Sequence, residues 1–200
     1  MTEPQTAPPI LFLPGTTGHG AFWDPVRKDL RNQNSTALSW PGLGGNPRAE
    51  GVESFDDLVN WTISKITEPS VLIGQSMGGY VAMRVALQRP DLVTHLVMAV
   101  TSAGVDRHRL GLPEWTIEAN DDDSGWVAEH QQPLDEQIPS VAVPVLLIWA
   151  TQDPISPLPL AHRLKELLPS AELVTFDSDD HWVVLGHAEE VADLIDRLTA

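Results

Sequence analysis

The 200 residues carry 12 basic and 28 acidic side chains, a net charge of −16, and 42% of them are hydrophobic. That length makes one domain, 1–200, with a sizeable core the default. A charge so negative repels phosphate backbones and anionic membranes, so neither nucleic acid nor a membrane is an expected partner. Cysteine is absent, which excludes disulfides, thiolate catalysis and Cys-based zinc sites.

Met1–Pro9 is polar and Pro-rich, without the basic and apolar regions of a signal peptide. No apolar run reaches the roughly 20 residues of a membrane span, and a cytoplasmic protein is expected. Ile10–Leu13 is a first strand, ended by Pro14-Gly15. Trp23, Val26 and Leu30 then recur at helical spacing. Thr36–Trp40 is a second strand, closed by Pro41-Gly42. Phe55, Leu58, Val59, Ile63 and Ile66 form a helix stripe with Ser54 as its N-cap. Strand Ser70–Gly74, helix Met77–Gln88 and strand Val93–Val100 follow. Residues 101–141 are polar and irregular, and must hold a crossover and any cap. Val143–Trp149 is a strand, Pro157–Leu168 a helix, and Ala171–Phe176 the last strand. Val191, Leu194, Ile195 and Leu198 mark a terminal helix. Six strands alternating with helices predict an α/β fold, a mostly parallel sheet covered on both faces. Chemistry should then collect in the loops at the carboxyl ends of the strands, after Leu13, Gly74, Trp149 and Phe176.

One of those loops reads Gly-Gln-Ser-Met-Gly-Gly, residues 74–79. A G-x-S-x-G segment between a strand and a helix lifts its serine into a sharp turn with the hydroxyl exposed. The competing reading makes Ser76 a plain helix N-cap. A serine hydroxyl needs a base, and the base an orienting acid. Asp153 follows the fifth strand, in Thr-Gln-Asp-Pro-Ile-Ser-Pro, and His181 follows the sixth, in Ser-Asp-Asp-His-Trp.

The order Ser76, Asp153, His181 and these four loops resemble those of the α/β-hydrolase-fold serine hydrolases. The likeness runs from Ile10 to Leu198 apart from the middle segment. It implies Ser76 as nucleophile, His181 as general base and acid, Asp153 as orienting carboxylate, and an oxyanion hole from the N–H groups of Thr16 and Met77. It also implies a sheet in the spatial order 4-3-5-6-7-8 of the family's strand labels, without the antiparallel strands that usually come first. The cap, within 101–141, would be minimal. Pro14-Gly15 replaces the family's usual His-Gly, and Ala150 stands where glycine is common.

Each role has rivals. His187 lies six residues after His181 and reads as a surface or capping residue. His19 is a solvated loop histidine and His95 a structural one. Asp177, Asp179 and Asp180 adjoin His181 but are poorly placed to point back at it, and Asp106 follows the fourth strand. Gly42–Gly45 lacks the Lys of a phosphate loop and reads as a turn. No His, Asp or Glu pattern has metal-ligand spacing, so neither metal nor cofactor is expected. Of seven tryptophans, Trp23, Trp61 and Trp149 read as core, whereas Trp40, Trp115, Trp126 and Trp182 lie in or beside loops near the site. Thr17, Trp115, Trp126, Ile155 and Trp182 are the candidate pocket residues for a small-molecule acyl substrate. The expected reaction is hydrolysis of a carboxylic ester or related acyl bond through an acyl-enzyme on Ser76. A thioesterase, a lyase or C–C hydrolase with the same triad, and a non-catalytic binding protein are the alternatives.

Overall fold

The apolar runs form one six-stranded sheet. The structure, a computed structural model, describes residues 7–113 and 131–200. The strands are β1 (Ile10–Leu13), β2 (Ser35–Ala37), β3 (Ser70–Gln75), β4 (Val93–Ala99), β5 (Val145–Ala150) and β6 (Glu172–Phe176). Their spatial order is β2-β1-β3-β4-β5-β6, and every pair is parallel. This is the order expected from the family's labels. Strands β1, β3 and β5 are buried at every residue, as continuous apolar runs are when both faces are covered. The edge strands β2 and β6 are partly open.

The covering helices are α1 (Asp24–Arg27), α2 (Phe55–Ser64), α3 (Met77–Gln88), α4 (Leu158–Leu167), α5 (Val183–Gly186) and α6 (Ala188–Leu198). Helix α1 packs on α6, and α2 on α3. Ser54 caps α2: its Oγ accepts from Asp57 N–H at 3.1 Å and donates to Asp57 Oδ2 at 2.7 Å. Among the described residues no helix is long and apolar enough to cross a membrane.

Three element ends differ from expectation for local reasons. Strand β2 stops at Ala37 although Leu38 still donates to Phe12 O at 2.9 Å, because Trp40 N–H turns away to Gly18 O at 2.8 Å. Strand β5 starts after Pro144, which has no N–H to give. The C-terminal apolar stripe is preceded by a separate turn of helix, α5.

Between β4 and β5 the described residues form two short 3₁₀ turns, His108–Leu110 and Ile138–Ser140. The two ends of this stretch are stapled together. Leu134 N–H donates to Gly104 O at 2.7 Å, Asp106 N–H to Asp135 Oδ2 at 2.7 Å, and Ser102 Oγ–H to Gln131 Oε1 at 2.8 Å. Gln132 N–H reaches the buried Tyr80 hydroxyl of α3 at 3.1 Å.

Helix α3 sits against the sheet at glycine. A Cβ on Gly78 would stand 2.3 Å from Leu13 O and 2.6 Å from Pro14 O, both backbone atoms that cannot step aside. Gly78→Ala should therefore lower stability by about 1–3 kcal/mol in equilibrium urea unfolding. A change below about 0.5 kcal/mol would contradict this close packing.

Candidate active site

The turn at Ser76 follows from three glycines. A Cβ on Gly74 would stand 2.4 Å from the Gly78 backbone, and one on Gly79 would stand 2.5 Å from the Thr101 side chain. Strand and helix thus meet with no room for side chains, and Ser76 is forced to φ 51°, ψ −120°. Such a conformation costs of order 1–3 kcal/mol at a non-glycine residue. It is held by Ser76 N–H donating to Ala99 O at 3.0 Å and Gly79 N–H donating to Ser76 O at 2.9 Å. The Ser76 side chain makes no capping bond to α3, so the plain N-cap reading fails and the hydroxyl is left available.

Asp153 lies on the turn after β5 with its side chain fully buried. Oδ1 accepts from the N–H groups of Ile155 at 2.7 Å and Ser156 at 2.8 Å. Oδ2 pairs with His181 Nδ1 at 2.7 Å. An ionised carboxylate can only accept, so the bond places a proton on Nδ1 and leaves Nε2 as the basic nitrogen. Trp149, buried in β5, fastens the far side of this turn through its indole N–H to Ser156 O at 2.7 Å. The Arg107 guanidinium donates to Ile155 O at 3.1 Å. Its partial burial depresses the Arg107 pKa, with the nearby Asp153 charge opposing that shift.

His181 follows β6, with 11% of its side chain exposed. The acid and histidine loops are laced by Thr151 N–H to Phe176 O at 3.0 Å and Gln152 N–H to Ser178 O at 2.9 Å. Among the described residues no hydrogen bond joins Ser76 Oγ to His181; the two loops connect through Gln75 Nε2, which donates to His181 O at 3.3 Å.

The loop after β1 is held by two more buried indoles. Trp23 Nε1–H donates to Leu13 O at 3.1 Å and Trp40 Nε1–H to Pro14 O at 2.9 Å. Gly18 N–H closes the turn onto Gly15 O at 3.1 Å. Gly15 lies over Ser76, where a Cβ would come within 3.4 Å of Ser76 Cβ. In sequence Thr16 follows Gly15 and Met77 follows Ser76, and outside the regular helices and strands neither N–H donates to a backbone carbonyl among the described residues.

The rival residues have other employment. His187 Nδ1 pairs with Glu190 Oε1 at 2.9 Å, and its ring stacks on Phe176 at 4.0 Å. Asp177 accepts from Thr151 and Gln152, Asp180 from Trp182 N–H, and Asp106 from His108 N–H while pairing with Arg109. Asp179 is exposed. Among the described residues no three His, Asp or Glu side chains gather to hold a metal.

Of the pocket candidates, Thr17 is exposed, Ile155 half-buried with its backbone committed to the acid turn, and Trp182 52% exposed. Trp115 and Trp126 lie outside the described residues. Trp40 is fully buried and braces the loop after β1, so it forms no wall of a pocket. A cavity of 230 Å³ between β6 and α6, lined by residues such as Phe176, Asp193 and Arg197, contains none of the site residues. Sequence reading missed the braces Trp149 and Trp40 as hydrogen-bond donors, and Arg107 and Gln75 altogether. None of these has a sequence period that reveals a contact across loops.

Residues 10–139 match the model of the alpha/beta hydrolase family, and the chain belongs to that family; it is a hydrolase. Residues 115–198 match a further model, described as TAP-like protein. Among curated relatives, a pimeloyl-[acyl-carrier protein] methyl ester esterase of Nitrosomonas europaea is 24% identical, over 96% of this chain and 95% of its own length. Among solved structures, an esterase from Exiguobacterium antarcticum superposes with a TM-score of 0.80 at 17% identity, covering 96% of this chain and 92% of that one. The thioesterase domain from the curacin biosynthetic pathway superposes with a TM-score of 0.72 at 17% identity, covering 95% and 91%.

Trp149→Phe keeps an aromatic side chain but leaves Ser156 O buried without its donor. It should destabilise the protein by about 1–3 kcal/mol in urea unfolding. Unchanged stability would show that the acid turn does not depend on the indole.

Proposed function

We propose that this hydrolase cleaves a carboxylic ester through an acyl-enzyme on Ser76. The observation that carries the reading is the buried Asp153 carboxylate 2.7 Å from His181 Nδ1, on a loop tied to the residue beside Ser76. The curated relative's name, a methyl ester esterase, agrees with an ester as substrate.

In this mechanism His181 Nε2 takes the Ser76 hydroxyl proton as Oγ attacks the carbonyl carbon. The carbonyl π electrons move to oxygen, and the resulting oxyanion is met by the N–H groups of Thr16 and Met77. Each such donor is typically worth about 3–4 kcal/mol in the transition state. Collapse of the tetrahedral intermediate breaks the bond to the alcohol, which leaves with the proton from His181. Water, deprotonated by the same nitrogen, then attacks the acyl carbon; the bond to Ser76 Oγ breaks, Oγ takes the proton back from His181 Nε2, and the acid is released. Asp153 stays ionised throughout, holding the imidazole and stabilising its charged form.

The segment open to a cap, 101–141, is short, and its residues 114–130 lie outside the described residues; a small ester, or an acyl group presented on a larger carrier, is the substrate in this reading. The second possibility is favoured by the relative's carrier-linked substrate and opens a thioesterase reading with the same residues.

Ser76→Ala and His181→Ala should each lower kcat by about 10⁵–10⁶-fold, and Asp153→Asn by about 10⁴-fold. Steady-state hydrolysis of p-nitrophenyl esters measures all three, with circular dichroism as a folding control. Wild-type activity in Ser76→Ala would overturn the acyl-enzyme. Side by side, p-nitrophenyl butyrate should show a higher kcat/KM than butyryl-CoA. The reverse order would replace the esterase by a thioesterase.

A further inference from the structure

Gln75 is used by none of the steps above, yet it is a polar side chain only 2% exposed, at the last position of β3 and directly before the nucleophile. A buried amide is costly unless its polar ends are engaged. Nε2 donates to His181 O at 3.3 Å. Oε1 rests against the loop after β1, where a Cβ on Gly15 would come within 2.4 Å of it. One carboxamide therefore lies between the backbone of the histidine loop and the backbone of the oxyanion loop. Its own backbone is fixed by the register of β3 on β4, in which Gln75 faces Ala99.

The other bonds of the histidine loop act elsewhere. Thr151 and Gln152 hold Phe176 and Ser178, several residues short of His181, and the bonds of Asp180, with Ser178, Trp182 and Val183, are all local. Asp153 fixes the imidazole ring from the Nδ1 side. Among the described hydrogen bonds, only that from Gln75 joins His181 to the strand bearing the nucleophile.

We infer that Gln75 is a positioning residue for hydrolysis at Ser76: its carboxamide sets the reach from the nucleophile to the His181 backbone and seats Gly15, so that base, nucleophile and the Thr16 N–H share one reference. The inference rests on the acyl-enzyme reading. Glycine at 15 belongs to the same device, because only a residue without Cβ leaves the amide its place.

The test compares Gln75→Met, similar in length but without a donor, and Gln75→Glu, the same shape with an acceptor facing the carbonyl. Active sites are counted by complete fluorophosphonate labelling, and p-nitrophenyl ester hydrolysis is measured per labelled site. Both variants should lose about tenfold to a hundredfold in kcat, the cost of a small misplacement of a catalytic group. KM should stay within about threefold of wild type, since no substrate contact is removed. Acylation and deacylation should slow together, because His181 serves both. A purely structural role would lower melting temperature and leave kcat per site intact. Retention of kcat within about twofold in either folded variant, or a loss confined to KM, overturns the inference. If neither variant folds, Gly15→Ala, which displaces the amide while keeping it, must show the same loss of kcat; wild-type kcat there also overturns it. Ser76→Ala in the same assay separates the two failures. An active Ser76→Ala enzyme removes the acyl-enzyme itself, whereas an inactive one beside an unimpaired Gln75→Met removes only the role of Gln75.

Discussion

The approach of α3 to the ends of β1 and β3 is the constraint on which the site depends. Gly74, Gly78 and Gly79 leave no Cβ between helix and sheet, and a Cβ at any of them would stand about 2.3–2.5 Å from its nearest neighbour. At that separation the chain passes from strand to helix in a single residue. That residue is Ser76, at a backbone conformation few side chains accept. The strain is tolerated because β3 lies in the middle of the sheet, paired on both sides with β1 and β4 and buried throughout. The same approach starts α3 directly after Ser76, and the first N–H groups of a helix have no intrahelical partner.

Around this turn the site loops are made rigid without regular secondary structure. The ends of parallel strands leave backbone carbonyls that no neighbour answers, and an unanswered buried carbonyl is costly. Three buried indoles supply the missing donors, from Trp23 to Leu13 O, Trp40 to Pro14 O and Trp149 to Ser156 O. Each brings a large apolar body to the core and a single N–H to the loop. That accounts for three of the seven tryptophans. The acid loop needs little else: Asp153 folds its own turn with Oδ1 and keeps Oδ2 for the imidazole.

Much of this was legible in the sequence, and physics says why. A parallel sheet buried on both faces writes itself as apolar runs punctuated by Pro and Gly, so Ile10–Leu13, Ser70–Gly74 and Ala171–Phe176 could be placed to within a residue or so. The turn at Ser76 was legible because its glycines are sterically obligatory. That Asp153 and His181 would meet was legible because both lie in loops that follow strands, where the fold gathers its loops. The remainder depends on reach. Leu38–Trp40 continues the apolar pattern of β2, yet Trp40 leaves the sheet for Gly18, and no pattern announces that. The contacts of Gln75 and Arg107 cross from one loop to another, and a linear sequence gives neither the distance nor the direction of such a side chain.

In the proposed mechanism the acyl group spends part of the cycle on Ser76. Mixing the enzyme with a p-nitrophenyl ester, quenching in acid within the first turnovers and mapping the peptides by mass spectrometry tests it directly. The acyl-enzyme requires the mass of the acyl group on the peptide containing Ser76, formed as nitrophenol is released and lost as the acid appears. Product formation with no adduct, or an adduct on another residue, would contradict it.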